Sequence, residues 1–319
     1  MMNTDYIQIA SYASKAPSGH NTQPWKFHIA ASTITIIPNL EVALPVVDSD
    51  NRELFISLGC AVENLLISAS HFGYTAHIIE CSRQGITAEL TKTEAMIEDA
   101  LFSQIEKRQT NRSIFNRKKI SDEVLKQLQT IRKENSVQFY FAEMGTPFAN
   151  IITECIMKGN ETQMNDTLFK KELLSWMRFN RKQVEATLDG LCYQVFGNPP
   201  LPTILARPIV NQFLKPKVQS KSDKKKIETS SHFVVCTTQK NTIEEWVNLG
   251  RTLQRFLLNI TEMGISYAFL NQPCEVTKLV LTLQEELPIN REYPTLIIRI
   301  GYANPVPYSP RKKIESLLV

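Results

Sequence analysis

FISLGCAVENLLISASHFG at residues 55–73 and WVNLGRTLQRFLLNITEMG at residues 246–264 carry one helical pattern twice, offset throughout by 191 positions (55 to 246, 73 to 264). The first copy places Phe55, Leu58, Val62, Leu65, Leu66, Ala69 and Phe72 at the three- and four-residue spacing of a buried helix face. The second repeats it position for position with Trp246, Leu249, Leu253, Phe256, Leu257, Ile260 and Met263. Gly73 and Gly264 stand where a helix C-terminus needs positive φ. Gly59 and Gly250 coincide inside the helices, where glycine costs about 1 kcal/mol against alanine, so their recurrence predicts a close helix approach in both copies. Two buried helices can resemble each other by chance, but agreement of face, inner glycine and cap argues for duplication, hence for two related halves.

Strand patterns follow each cap, YTAHIIECS from Tyr74 and ISYAFL from Ile265. KFHIA and TITIIP after Trp25 predict a hairpin, and QFYFAE near 138, HFVVCTT near 232 and TLIIRIGYA from 295 add three further strands. Helices and strands mix without a βαβ rhythm, which predicts an α+β fold rather than a doubly wound one.

Composition narrows the function. The chain has 319 residues, 43% hydrophobic and 21% charged, enough for one large or two ordinary domains. MMNTDYIQIASYASKAPS lacks a basic opening with an apolar run, and no stretch nears eighteen uninterrupted apolar residues, so a soluble cytoplasmic protein with no membrane partner is expected. A net charge of +4 is too slight to imply nucleic acid. Six lysines crowd KPKVQSKSDKKK at 215–226 without interleaved aromatics, which reads as a solvated linker; a nucleic-acid or partner module on that run is the weaker alternative. The six cysteines form no CxxC pair and read as small buried hydrophobes. GxGxxG, GxxxxGK[ST], GxSxG and HExxH are all missing, and the five histidines lack metal-ligand spacing, so no metal is expected. His71 and His77 read as satisfied core or surface residues, although a triad assembled from distant positions stays open.

Three segments carry polar chemistry. In Pro17-Ser18-Gly19-His20-Asn21-Thr22-Gln23-Pro24-Trp25, two prolines stiffen a loop whose Ser18, Asn21 and Gln23 can hydrogen-bond a ligand with little entropy loss; a helix-to-strand turn is the plain alternative. Arg108-Gln109-Thr110-Asn111-Arg112, between a charged helix ending near Lys107 and a helix that Ser121 can cap, sets two guanidiniums four residues apart around a hydroxyl, as a phosphate monoester requires. A solvated basic turn competes with that reading. Ser309-Pro310-Arg311-Lys312-Lys313 ends the chain with a further basic cluster, by itself a solvated tail.

Together these pieces resemble the nitroreductase family of FMN-dependent oxidoreductases, in its tandem branch of two fused halves. PSGHNTQPW at 17–25 and RQTNRSIF at 108–115 are the specific motifs; LGCAVENLLISASHFG at 58–73, the 246–273 segment and RIGYANPVPYSPRKK at 299–313 support them. The resemblance implies a nitroreductase-like α+β fold, halves at about 1–105 and 106–319, and a flavin site taking its PSxxNxQPW loop from one half and its phosphate segment from the other. By that likeness Arg108, Gln109, Thr110 and Arg112 would hold the FMN phosphate. Arg311 and Lys312 would add donors, Pro17, Ser18, Asn21 and Gln23 would contact the ring, and Leu270, Asn271, Gln272 and Pro273 would offer amides near its N5 edge. The first half lacks an arginine-rich segment before Ala16 and the second lacks a PSxxN loop, so one FMN per chain is expected. The proline-rich stretch 186–230 has no counterpart in the first half and would be a lid. The implied activity is hydride transfer from NAD(P)H through flavin N5 to a nitroaromatic, quinone or similar small acceptor. A flavin-sequestering protein with an occluded site is the alternative. Fused halves imply a monomer or a weak homodimer.

Overall fold

The computed structural model describes residues 3–93 and 99–319. Helix α1 (Thr4–Ala13), capped by the Asn3 side chain on the Asp5 amide, leads through the proline-bounded loop into β1 (Trp25–Ile29) and β2 (Thr33–Pro38), the expected hairpin. Helix α2 (Arg52–His71) follows, then β3 (Tyr74–Cys81) and β4 (Ile86–Lys92). After α3 (Asp122–Gln129), whose Ser121 cap accepts from Val124 N as expected, come β5 (Val137–Glu143), α4 (Pro147–Asn165), α5 (Thr167–Ser175), β6 (Met177–Arg178), α6 (Arg181–Thr187), β7 (Leu191–Cys192), α7 (Thr203–Phe213) and α8 (Pro216–Ile227). The chain closes with β8 (His232–Thr238), α9 (Ile243–Glu262), β9 (Ser266–Phe269), α10 (Thr277–Glu286) and β10 (Tyr293–Gly301).

The α+β reading holds. Two antiparallel four-stranded sheets run in the orders β1-β2-β4-β3 and β5-β8-β10-β9. Each is wound as two strands, a 20-residue helix and two strands, α2 serving the first sheet and α9 the second. One core runs through both: Phe27, Ile34 and Ile36 of the first sheet and Val234, Ile298 and Ile300 of the second pack with α2 and α9. The second sheet is buried on its other face as well, Phe233, Val235 and Ile297 meeting Ile152 and Ile156 of α4 and Leu283 of α10. That is why HFVVCTT reads as an unbroken apolar run rather than an alternating one.

Where α2 and α9 cross, both inner glycines are in contact. A Cβ on Gly59 would lie 2.2 Å from the Val247 carbonyl oxygen and 2.9 Å from Gly250 Cα; one on Gly250 would lie 2.1 Å from the Ile56 oxygen and 2.8 Å from Gly59 Cα. The contacts exchange under the 191-residue offset, since 56 maps to 247 and 59 to 250. Flanking pairs do the same: Gln254 Nε2 donates to Asn64 Oδ1 (2.7 Å), and the exchanged positions hold Arg255 Nε donating to Glu63 Oε1 (2.6 Å). Gly73 (φ 76°) and Gly264 (φ 68°) follow the helix ends in the left-handed conformation the caps predicted.

Several expectations need correction. KPKVQSKSDKKK is not a linker: Pro216 starts a helix and Asp223 and Ile227 are buried, so the lysines occupy its outer faces. The departure from two-fold correspondence is wider than 186–230. Residues 30–32 join β1 to β2, whereas residues 144–231, with α4 to α8, join β5 to β8. Where a charged helix ending near Lys107 was expected, the described residues 99–107 carry a 3-10 turn, Phe102–Gln104; residues 94–98 lie outside the described residues. Cys81 is exposed, unlike the other five cysteines. Helix Arg52–His71 is long and apolar enough to cross a membrane by length and composition, and it is mostly buried inside the fold.

Gly59→Ala and Gly250→Ala are each expected to destabilise the protein by about 3 kcal/mol or more, because backbone rather than a flexible side chain must yield. Gly145, with open space around its Cβ position and only a positive φ to strain, is expected to lose about 1 kcal/mol as alanine. Urea midpoints of the three variants test this; similar losses at all three would remove the crossing as the critical contact.

Candidate functional site

The proline-bounded loop is held in an unusual shape. His20 (φ 47°), Asn21 (φ 57°) and Gln23 (φ 55°) are all left-handed, a cost of order 1 kcal/mol or more each for residues with a Cβ. Ser18 Oγ accepts from Gln23 N (3.0 Å), closing the loop on itself. The other two side chains turn outward to clamp distant backbone. Asn21 Nδ2 donates to Gly190 O (3.3 Å) and Pro310 O (3.1 Å), Gln23 Nε2 to Leu188 O (2.8 Å), and Gln23 Oε1 accepts from Lys312 N (2.8 Å). Residues 310–312 reach the loop because the chain after β10 returns to the first sheet, where Phe27 N donates to Leu317 O and Val319 N to Phe27 O.

Beside this loop lies a cluster of cations. Arg108, 5% exposed, donates through Nη1 to Tyr267 Oη (2.6 Å) and through Nη2 to Lys15 O (3.0 Å), while its buried Nε has no partner. Arg311 donates to Asn21 Oδ1 and to Ala16 O (3.3 Å). Arg112 makes no hydrogen bond among the described residues; its guanidinium carbon sits 5.8 Å from the Phe196 ring centre. Thr110 Oγ1 reaches Tyr267 Oη at 3.5 Å. Among the described residues no ion pair involves Arg108, Arg112 or Arg311.

The electrostatics agree. Burial, then the neighbouring Arg108, lowers the Arg311 pKa to about 9. Burial also lowers that of Arg112. Burial and then Arg112 lower His20 to about 4, so its ring is neutral at pH 7. Like charges brought together and desolvated without a carboxylate are unfavourable unless an anion completes the set. The donors suit one with about two negative charges and several acceptor oxygens.

The 108–115 segment is pinned by Arg299, a fully buried charge within β10. Its guanidinium donates to Ser113 O (2.7 Å), Asn111 O (3.3 Å) and Ser230 Oγ (3.2 Å) and stacks 3.9 Å over the Phe115 ring. Gln109 is engaged elsewhere, accepting from Val306 N (2.6 Å).

Leu270, Asn271, Gln272 and Pro273 form a separate cluster on the opposite side of the loop. Asn271 Nδ2 donates to Glu53 Oε1, Gln163 Nε2 to Glu275 Oε2, and Gln272 Nε2 to Asn160 Oδ1 (3.1 Å) and Asp223 Oδ2 (3.3 Å). Arg52 Nη2 donates to Cys274 O (2.7 Å). Glu53 and Glu275 share this pocket, and burial, reinforced by Glu275, raises Glu53 to about 8. Asp48, which caps α2 on the Glu53 and Leu54 amides, is raised by burial and then by Glu53 to about 7. A small cleft of about 10 Å³ lies beside the loop, lined by Gly19, Pro24, Leu44, Asp48 and Glu53 among others. Loop residues 18–21 thus separate a basic cluster from an acidic one.

Residues 188–197 cover the basic side. Arg178 pairs with Asp189 (2.6 Å), Lys312 Nζ lies 3.9 Å from the same carboxylate, and Phe196 faces Arg112. Of the sequence candidates, Asn21, Gln23, Arg108, Thr110, Arg112, Arg311 and Lys312 come together here, Pro17 and Ser18 shape the loop, and Gln109 and residues 270–273 stand apart. Tyr267, Arg299, His20, Glu53 and Glu275 were not anticipated. Only Arg299 left a signal, as a lone charge inside the apolar run TLIIRIG.

No protein-family model matches the chain. Rv3131 of Mycobacterium tuberculosis, provisionally named an NAD(P)H nitroreductase, is 20% identical over 324 residues, covering 97% of this chain and 90% of that protein. A second protein of that organism, acg, named in the same way, is 29% identical over 79 residues, 24% of each chain. Among solved structures, the FMN-dependent nitroreductase NfnB from Mycobacterium smegmatis, in complex with NADPH, aligns at 13% identity over 67% of this chain and 94% of its own, with a TM-score of 0.43. A nitroreductase with bound FMN from Bacteroides fragilis aligns at 10% identity over 65% and 90%, with a TM-score of 0.37.

The buried acid gives a pH prediction. A carboxyl whose folded pKa is raised contributes stability that is complete below its unfolded pKa and is lost as pH rises through the folded value. Between pH 6.5 and 9 the native protein should therefore weaken, whereas Glu53→Gln, neutral throughout, should weaken less by about 1–2 kcal/mol. His20 does not interfere, since both its folded and unfolded forms are neutral across most of that window. Urea midpoints measured at both ends decide it; parallel losses in the two proteins would mean that Glu53 is ionised in the fold.

Proposed function

We propose that this chain, a member of the nitroreductase family, is an FMN-dependent oxidoreductase that takes hydride from NAD(P)H and passes it to a nitroaromatic, quinone or similar small acceptor. The observation that carries the reading is the trio Arg108, Arg112 and Arg311, gathered beside the strained 17–25 loop without a carboxylate partner among the described residues. The donor set fits a flavin phosphate: Arg108 keeps a buried Nε without partner, and Arg112 is spoken for only by an aromatic face. FMN, when bound, supplies the hydride chemistry, so no side chain need act as a nucleophile.

This chain's residues bind and orient. Arg108, Thr110, Arg112, Arg311 and Lys312 would hold the phosphate, with Tyr267 fixing the Arg108 fork and Arg299 fixing the backbone that carries Arg112. Asn21 and Gln23 orient the loop against the tail, and Pro17 and Ser18 maintain its shape. Gln109 acts through Val306. Leu270, Asn271, Gln272 and Pro273 stand apart from the cations; they and Glu53, which burial holds protonated toward neutral pH, would be the groups offered to the flavin ring. The reciprocal contacts at Gly59 and Gly250 and the matching strand orders support two fused halves, 1–105 and 106–319, forming an intramolecular pseudo-dimer with one site. Because the family's dimer interface would then be internal, a monomer follows.

A second reading, flavin storage with little turnover, is favoured by one observation: residues 188–190 are clamped by Asn21 and Gln23 while Phe196 covers Arg112. Anaerobic titration with NADPH separates the two, since bleaching of the flavin band within seconds supports the reductase and a band that persists with both NADPH and NADH supports storage.

Arg112→Ala is the direct test of the phosphate assignment. It breaks no hydrogen bond among the described residues, so the melting temperature of the apoprotein should stay within about 2 °C, while FMN affinity, followed by quenching of flavin fluorescence, should fall about 10- to 100-fold. Unchanged affinity would sink the assignment. Asp189→Asn, which removes the carboxylate of the buried Arg178 pair and loosens the cover at Arg178 and Lys312, should speed FMN release several-fold and cost about 3 kcal/mol of protein stability.

A further inference from the structure

Helix α7 is apolar on the wrong side. Its inner stripe, Ala206, Val210 and Leu214, packs toward the protein at four-residue spacing. The adjoining stripe, Leu205 (57% exposed), Ile209 (45%) and Phe213 (59%), repeats the spacing one position earlier and faces solvent, with Ile204 at 85% beside it. Three large apolar side chains in one exposed stripe, with Ile204 exposed at the start of the helix, are more than the scattered exposure of an ordinary surface, and such a patch marks an interaction site.

The surroundings identify the partner. From residue 203 to 226 the chain carries one arginine and six lysines against Asp223 alone, a net charge of +6 (seven minus one). Asp223 is buried and engaged by Asn160, Gln219 and Lys226, so it does not offset the surface. Lys215 reaches back onto the outer side of α7, its Nζ donating to Gln212 Oε1 (3.0 Å), and Arg207, Lys217, Lys221, Lys224 and Lys225 are exposed. An apolar helix face bordered by cations and free of exposed carboxylates is the pattern of an interfacial helix, whose apolar side chains enter the acyl boundary while lysines meet anionic headgroups. A second copy of this chain is the poorer fit, because pairing the faces would bring two such positive surfaces together.

We propose that the outer face of α7, with the lysines of α8, docks this protein on an anionic lipid surface. Phe196, which covers Arg112, belongs to the same connection between β5 and β8, so docking would set the cover of the basic cluster at the membrane interface. The proposal does not depend on the chemistry of that cluster.

Flotation of the full chain with phosphatidylcholine vesicles, and with vesicles in which phosphatidylglycerol replaces part of the lipid, tests it. Binding is expected only to the anionic vesicles and should weaken with added salt. Leu205→Ser/Ile209→Ser/Phe213→Ser and, separately, Lys217→Gln/Lys221→Gln/Lys224→Gln/Lys225→Gln should each reduce partitioning about 100-fold or more, at an unchanged melting temperature because every altered side chain is exposed. Failure to float with anionic vesicles overturns the proposal, as does binding retained in both variants. A concentration-dependent dimer in sedimentation, abolished by the serine triple in the absence of lipid binding, would assign the face to a second copy instead.

Discussion

Two glycines that touch hold the two sheets in register. With no Cβ on Gly59 or Gly250, α2 and α9 approach until each glycine meets backbone of the other helix, and the 20-residue helices bury their apolar faces between the sheets. What lies at the ends of α2 then follows. Its N-terminus is carried to the turn after β9, so Arg52 bonds Cys274 O and Glu53 meets Asn271. Farther along, Glu63 reaches Arg255 and Asn64 reaches Gln254. A looser crossing would separate the loop at 17–25 from both the 108–112 segment and the 270–273 turn, since these reach one region only because the two helices pack so closely.

At the site the protein accepts several local conflicts at once: left-handed backbone at three residues with side chains, desolvated guanidiniums close to one another, and a carboxyl held protonated near neutral pH. Each is unfavourable alone, and their concentration around one nine-residue loop is the physical basis of the site proposed above. The contrast with Arg251 and Arg255 is instructive. Those arginines also sit where helices cross, yet their charges are paired with Glu63, Glu134 and Asp99, although Arg251 Nε, like Arg108 Nε, has no hydrogen-bond partner.

Most of the framework could be read from residues because the strongest signals are local and periodic. The helix pair, its glycines and seven of the eight strands of the two sheets follow from spacing alone. β4 was missed because ITAELTK mixes strand and helix formers, and its pairing with β2 and β3 supplies the order that propensity does not. The lysine run was misread because composition hid a helix whose few buried contacts, Asp223 and Ile227, are set by α4. At the site, the motif residues were readable as types, but Tyr267 and Glu53 carry no pattern, and their roles exist only once α2 and β9 are brought together. The acidic counterpart to the basic cluster was thus invisible in one dimension.

The two sheets match in strand order but not in their connections, and that difference brings the basic cluster to the 17–25 loop. In the first sheet three residues join β1 to β2; in the second, residues 144–231 intervene between β5 and β8, and this long connection supplies Leu188, Gly190 and Phe196 to the side of the 17–25 loop. The tail after β10 approaches the same loop from the other direction with Arg311 and Lys312. The segment before α2 contributes the stiff, strained loop, and the segments after it contribute the cations and the cover. On the opposite side of the α2–α9 crossing, Glu63 and Asp99 neutralise the arginines that the second helix presents. Charge compensation therefore distinguishes the two groups: Arg251 and Arg255 are paired with carboxylates across the α2–α9 crossing, whereas Arg108, Arg112 and Arg311 have no ion-pair partner among the described residues.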